Sequence, residues 1–180
     1  MRQVHGATVA VVDGTEPQLV EADALVTDRA GLVLSVNVAD CAPVALFSPQ
    51  GVIGAVHAGW RGAELGVIEA AVATMRSLGA RQIRAWLGPC IHAECYEFGE
   101  ADLGRLAERF GPAVRARTRG GQPALDVPMA VAAALGGTGV ELAGAADMCT
   151  ACDPQRFYSF RARGDRGRHT LALWMEERVG

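Results

Sequence analysis

The chain has 180 residues, half of them apolar, and a formal charge of −3 from 17 basic and 20 acidic side chains. That length supports one domain with a substantial core, and the charge balance leaves no electrostatic footprint for nucleic acid or an anionic membrane. Every basic residue is arginine; without lysine, Schiff-base catalysis and a P-loop lysine are excluded, while bidentate capture of carboxylate or phosphate stays open.

The stretch Met1-Arg2-Gln3-Val4-His5 carries no apolar targeting core, and no segment approaches the roughly eighteen uninterrupted apolar residues of a membrane span. A cytoplasmic protein is expected. Five cysteines, at 41, 90, 95, 149 and 152, are odd in number and irregularly spaced, so reduced thiols are expected rather than a disulfide framework.

After His5-Gly6, the run Ala7 to Val12 reads as a strand closed by the turn Asp13-Gly14, and Glu21 to Thr27 alternates weakly. Leu32 to Val38, with Asn37 near its end, is a strong apolar run followed at once by Ala39-Asp40-Cys41-Ala42-Pro43. A short strand, Val44 to Phe47, turns at Ser48-Pro49-Gln50-Gly51 into another that leads to Val56. The segment Val56-His57-Ala58-Gly59-Trp60-Arg61-Gly62 then joins this strand to an amphipathic run, in which Leu65, Ile68, Val72, Met75 and Leu78 share one helical face. His57 is expected to close the strand and Arg61 to open the helix. Gly59 and Gly62 would let a ligand approach the unpaired N–H groups of the helix start, so an anion site is expected there. A tight turn with an aromatic plug is the alternative.

Ile83 to Leu87 is a further strand, ending in Gly88-Pro89-Cys90. Helices are predicted from about Glu100 to Phe110, halted by Gly111-Pro112, and from an N-cap at Asp126 to Gly136-Gly137. Between them, Arg115 to Gly121 is basic and glycine-rich and reads as a solvated loop. Glu141 to Ala146, the cluster Asp147-Met148-Cys149-Thr150-Ala151-Cys152, an arginine-rich segment over 156–168 and a last strand from Thr170 to Met175 complete the chain.

Polar clusters recur at strand ends, at Asp40-Cys41, His57, Cys90 and Cys149, which argues for a shared site. Of four histidines, His5 and His57 stand with Cys41 at strand edges. Two imidazoles and a thiolate, with a fourth position left open, are the donor set of a catalytic zinc site, where water becomes a nucleophile at neutral pH. Three other constellations compete. Cys149 and Cys152 could be a redox pair, or half of a four-cysteine site with Cys90 and Cys95. His92-Ala93-Glu94 with Cys149 and Cys152 partly matches the H-x-E and P-C-x-x-C pattern of zinc deaminases, although Met148 stands where proline belongs. Cys41 could also be a nucleophile with His57 as its base, giving a cysteine hydrolase or amidase for substrates such as a peptidoglycan precursor.

Gln3-Val4-His5-Gly6, Ala39-Asp40-Cys41-Ala42-Pro43-Val44, His57-Ala58-Gly59-Trp60-Arg61-Gly62, Leu87-Gly88-Pro89-Cys90-Ile91 and Cys149-Thr150 with Phe157, Ser159, Arg161, Gly167 and Arg168 together closely resemble the laccase-domain family, the YfiH-type polyphenol oxidases and purine nucleoside phosphorylases. The blocks run in order from residue 3 to about 174. The resemblance implies a single domain over 1–180 with a four-layer α/β/β/α sandwich and mixed sheets, like the catalytic domain of the cytotoxic necrotizing factor toxins. It implies His5, Cys41 and His57 as metal ligands, zinc or copper as the ion, and purine nucleoside and phosphate as substrates. The implied reactions are phosphorolysis of adenosine, inosine and methylthioadenosine, and deamination of adenosine. Asp40, Cys41, His57 and Arg61 are then the candidate catalytic residues, with Asp40 as proton shuttle or ligand orienter. Asn37, Arg61, Cys90, Cys149 and Arg161 are the candidate substrate contacts. A multicopper laccase centre needs about ten histidines, so oxidase activity is expected to be secondary or due to copper in the zinc site. Family members also carry a further segment before Q-V-H-G, so the resemblance implies either a shortened member or a natural start upstream of Met1.

Overall fold

Six of the apolar runs pair edge to edge into one mixed sheet in the computed structural model, which describes residues 1–14 and 20–177. In chain order the strands and helices are β1 (Val9–Val11), β2 (Ala24–Thr27), β3 (Leu34–Val38), β4 (Ala42–Ser48), β5 (Val52–Ala58), α1 (Trp60–Leu65), α2 (Val67–Ser77) and β6 (Arg84–Leu87). There follow α3 (Glu100–Phe110), β7 (Arg115–Arg117), β8 (Pro123–Leu125), α4 (Val127–Gly137), β9 (Glu141–Ala145), α5 (Phe160–Arg163) and β10 (His169–Leu173). The large sheet has the order β1-β2-β5-β4-β6-β9. Its middle four strands are antiparallel, and β1 and β9 join in parallel at the edges. β3 and β10 form a separate antiparallel pair.

The two faces of β5 explain the layers. Every residue of this strand is buried, so its sequence is almost continuously apolar rather than alternating. Val52, Val56 and Ala58 pack into one cluster with Ile68, Val72 and Met75 of α2 and Val131 and Leu135 of α4. Ile53 and Ala55, pointing the other way, pack with Leu34 and Val36 of β3. By the same alternation His57 belongs to the face of Ile53 and Ala55, toward β3 and away from the helices. The result is a mixed α/β arrangement in which helices, the six-stranded sheet and the β3/β10 pair follow one another. Among the described residues no helix is long and apolar enough to cross a membrane.

The predicted elements are found with shifted ends, and two differ in kind. The amphipathic run after His57 is two helices, because Gly66 takes φ 91°, caps α1 and opens α2. Leu65 is 64% exposed as a consequence, while Ile68, Val72 and Met75 stay buried. The expected loop over Arg115 to Gly121 is instead most of a hairpin, in which β7 pairs with β8. Its anchor lies just beyond the arginines, in the buried Ala124 and Leu125. Asp126 caps α4 as predicted, its Oδ1 accepting from Met129 N–H at 2.9 Å.

A side chain at position 66 would have to adopt a left-handed backbone, and its Cβ would lie 3.3 Å from Arg109 Nη2. Gly66→Ala is expected to lower stability by about 1–2 kcal/mol, measured by chemical denaturation. A neutral effect would show that the break between the helices is not enforced by this glycine.

Candidate metal centre

The site is built around a residue that no sequence motif marks. Asp23 stands one step before β2 and is completely buried. Since Ala24 pairs with Val56, the register brings Asp23 opposite His57, and His57 N–H donates to the Asp23 carbonyl at 2.7 Å. The Asp23 carboxylate accepts from His57 Nδ1 at 2.8 Å. It also accepts from the backbone N–H groups of Val4, His5 and Gly6 at 3.2, 2.9 and 2.7 Å. One side chain therefore folds the Gln3–Gly6 segment around itself and orients a histidine of β5. His5 sits at φ 60° within that wrap, a left-handed conformation costing on the order of 1 kcal/mol for a non-glycine residue, which the three amide bonds offset. Gln3 fixes the other end of the segment, donating to the Asn37 carbonyl and accepting from Asn37 N–H, both at 2.8 Å.

Burial alone would raise the Asp23 carboxyl, but the bonds from His57 and the three amides outweigh it and hold Asp23 below its ordinary range. An ionised, acceptor-only carboxylate requires the proton of His57 on Nδ1, which leaves the Nε2 lone pair for the cavity. Burial also lowers the His57 imidazole, against the raising effect of Asp23, so His57 is neutral at neutral pH. That is the protonation state a metal ligand needs.

His5, Cys41 and His57 offer one donor atom each, all within 4.8 Å of one another. The rings of His5 and His57 meet edge to face with centroids 4.8 Å apart, and His5 Nε2 lies 3.7 Å from Cys41 Sγ. A tetrahedral ion with usual Zn–N and Zn–S bonds sets such a pair about 3.6 Å apart, so the donors fit the group. Gly59 makes the approach feasible, since a Cβ there would stand 2.7 Å from His5 Cδ2 and 3.1 Å from Cys41 Sγ. At Gly62 a Cβ would stand 2.9 Å from the Gly6 carbonyl oxygen. The two glycines thus leave room for His5, Cys41 and Gly6. The helix that opens at Trp60, where an anion site was expected, is only six residues long.

These donors open into a cavity of about 640 Å³ whose wall also includes Asn37, Asp40, Arg61 and Arg161. Trp60, Tyr96, Phe160 and Arg168 complete the part relevant to binding. The Arg61 guanidinium lies 4.7 Å over the Trp60 ring, and that of Arg161 lies 4.5 Å over Tyr96. Asp40, at φ 89°, accepts from Thr150 Oγ1 and from Arg161 N–H, both at 2.7 Å. Cys90 and Cys149 are buried residues of the core, packed in the cluster shared with the helices, and do not line the cavity. Of the candidate substrate contacts, Asn37, Arg61 and Arg161 are brought to the wall and the two cysteines are not. Asp23, Trp60 and Tyr96 were missed. A lone acid inside the otherwise apolar Ala22-Asp23-Ala24-Leu25-Val26 run was the available signal for the first.

Burial, with Asp40 adding to it, pushes the Cys41 thiol up to about 12. In the metal-free chain it is a protonated thiol at neutral pH, a poor nucleophile, whereas a bound cation displaces that proton. The arrangement therefore favours metal ligation by Cys41 over a cysteine hydrolase pair with His57.

Comparison with known proteins agrees with the motifs. The family profile described as multi-copper polyphenol oxidoreductase laccase matches residues 1–176. Purine nucleoside phosphorylases of Streptomyces griseus and Streptomyces coelicolor are 41% and 42% identical over 182 residues; each alignment covers 98% of this chain, and 73% and 74% of those proteins. Among solved structures, the hypothetical protein YfiH of Bacillus licheniformis superposes with a TM-score of 0.88 at 26% identity, covering 97% of this chain and 72% of that one. YlmD of Geobacillus stearothermophilus gives 0.78 at 29% identity with the same coverage.

Asp23→Asn keeps the shape but replaces an all-acceptor group. We expect zinc affinity at the triad to fall about 10–100-fold and the metal-free chain to lose about 2–3 kcal/mol, read by competitive titration and by denaturation. Unchanged zinc affinity would remove Asp23 from the centre. The depressed His57 also has a signature in pH. Its folded value lies below its ordinary 6.5, so the unfolded chain takes up the proton first and stability of the metal-free protein falls as pH drops through about 6.5. Asp23 adds a second loss at lower pH, below the ordinary carboxylate value. His57→Gln should reduce the first slope to the part that His169, also depressed by burial, contributes; a wild-type slope in that variant would assign it elsewhere.

Proposed function

The chain belongs to the multi-copper polyphenol oxidoreductase laccase family, and from that premise we propose that it is an enzyme acting on purine nucleosides with phosphate as co-substrate. The observation that carries this reading is Arg61. It makes no ion pair or hydrogen bond among the described residues, yet shares a cavity with the His5, Cys41 and His57 triad. An arginine held over an aromatic face, unengaged by any carboxylate, suits an incoming phosphate dianion. The relatives named purine nucleoside phosphorylase support the substrate class, with adenosine, inosine and methylthioadenosine as the specific candidates.

In phosphorolysis a phosphate oxygen bonds to C1′ of the ribose as the C1′–N9 bond breaks. The electron pair of that bond leaves with the purine, which takes up the proton that the attacking hydrogen phosphate gives up. We assign Arg61 and Arg168 to the phosphate and the exposed ring of Phe160 to the base. Asp40 is assigned as a positioning residue rather than a proton shuttle, because its two oxygens accept from Thr150 and from the amide of Arg161. Asn37, whose Oδ1 accepts from Thr170 Oγ1 at 2.6 Å, borders the opening. The resident ion is assigned as zinc, held by His5, Cys41 and His57; when bound it supplies a Lewis acid beside the substrate. Copper could occupy the same donors, but a multicopper centre would need far more imidazoles than the chain's four histidines.

The family reading extends to the fold and the setting. We assign the helices, the six-stranded sheet and the β3/β10 pair to a four-layer α/β/β/α sandwich, a reading that the mixed α/β arrangement supports. Five free cysteines suit a reducing, cytoplasmic compartment.

The test is a product assay on adenosine with and without phosphate. Adenine and ribose 1-phosphate, formed only with phosphate, are expected. Inosine formed without phosphate would replace the proposal with hydrolytic deamination. Arg61→Ala should raise the KM for phosphate about 10–100-fold, the equivalent of one charge-assisted hydrogen bond, while zinc content stays the same. An unchanged phosphate KM would take Arg61 out of the phosphate site.

A further inference from the structure

Away from the triad, the chain brings a second set of soft donors together. Glu94 and Cys95 lie in a single 3-10 turn, Ala93–Cys95, after β6. Cys149 and Cys152 flank a tight turn in which Cys152 N–H donates to the Cys149 carbonyl at 3.2 Å. The three sulfurs and a carboxylate oxygen all lie within 4.8 Å of one another. Cys95 Sγ is 3.4 Å from Cys152 Sγ, and Cys152 Sγ is 3.6 Å from Glu94 Oε1. None of the four lines the triad's cavity.

Tetrahedral zinc places two thiolates about 3.8 Å apart and a thiolate and a carboxylate oxygen about 3.5 Å apart. The observed separations approach both. The surroundings are those of a thiolate site as well. His92 N–H donates to Cys149 Sγ at 3.4 Å, and Arg119 Nη2 donates to Cys152 Sγ at 3.2 Å. Arg119 is itself tied down, its N–H donating to the Glu94 carbonyl at 3.1 Å. Three thiolates and a carboxylate carry four negative charges; a divalent ion together with the Arg119 guanidinium offsets three of them. Soft sulfur donors select zinc or another thiophilic ion over magnesium or calcium.

We propose that Cys95, Cys149, Cys152 and Glu94 form a second, closed zinc site whose role is structural. It takes neither of the patterns read from the sequence: Cys90 is not part of the donor set, and His92 contributes its backbone rather than its ring. Four protein donors leave no open position for substrate. The ion would clamp the 93–95 turn to the 149–152 turn. The first leads directly into Tyr96, which lines the cavity under Arg161. The second holds Thr150 on Asp40 and accepts from Arg163 Nη1 at the Ala151 carbonyl, 3.1 Å away. The site would thereby fix the aromatic and arginine wall of a cavity whose own ion lies elsewhere.

The experiment is zinc stoichiometry on the full chain purified under reducing conditions, with cobalt substitution as the spectroscopic probe. About two zinc ions per wild-type chain, about one in Cys41→Ala, about one in Cys152→Ser and almost none in the double variant are expected. Cys95→Ser should repeat the Cys152→Ser result, and His5→Ala that of Cys41→Ala, with circular dichroism checking that each variant folds. Cobalt bound to Cys41→Ala should keep a strong thiolate-to-metal band that Cys152→Ser in that background abolishes. The proposal fails if Cys41→Ala, with its remaining thiols reduced, takes up neither zinc nor cobalt. It also fails if Cys95 and Cys152 are joined as a disulfide and binding does not appear on reduction. If the triad instead binds nothing, Cys152→Ser loses the chain's single zinc and Cys41→Ala keeps it. That outcome supports this site while sinking the other.

Discussion

A buried carboxylate, Asp23, is the constraint on which the centre depends. An ionised group with no exposure is tolerable only when its lone pairs are filled. Here the chain fills them with His57 Nδ1 and three successive amides of the Val4–Gly6 segment. The hydrogen bonds that make Asp23 affordable are the same ones that position both histidines of the triad. His57 is oriented directly, and His5 indirectly through the wrapped backbone. Electrostatic satisfaction of one side chain and assembly of the candidate metal centre are a single event.

This explains which parts of the site were legible in the sequence. His5, Cys41 and His57 stood out because imidazoles and a thiol at strand ends carry recognisable chemistry. Asp23 carries an equal share of the geometry but sits where no motif marks it. Only strand register, which brings it opposite His57, shows its role, and register is a property of the assembled sheet. Arg61 stood out in the sequence through its place at a helix start. A helix start was expected to bind the anion through its backbone, whereas the glycines of that turn are occupied by His5, Cys41 and Gly6. What remains available at Arg61 is the guanidinium itself.

The fold shows the same division. Continuous apolar runs announced the strands, since β5 is buried on both faces and needs no alternation. Amphipathic spacing announced α2 but not its start, because Gly66 breaks a pattern that runs through it without interruption in Leu65, Ile68, Val72 and Met75. The hairpin β7/β8 was hidden by its arginines, which face solvent and resemble loop residues until Ala124 and Leu125 are seen to be buried.

Asp40 links the two donor clusters. It precedes Cys41 of the triad, and its carboxylate accepts from Thr150, which lies between Cys149 and Cys152. Its other oxygen accepts from the amide of Arg161, whose guanidinium covers the ring next to Cys95. Two soft-donor clusters formed from distant segments thus share a rigid connection one or two residues long on either side. Because Thr150 is fully buried and Asp40 nearly so, neither cluster can shift without breaking a buried hydrogen bond, which costs on the order of 1–3 kcal/mol. The cavity wall between them is therefore held from both ends, and its polar groups are fixed in place by the fold itself.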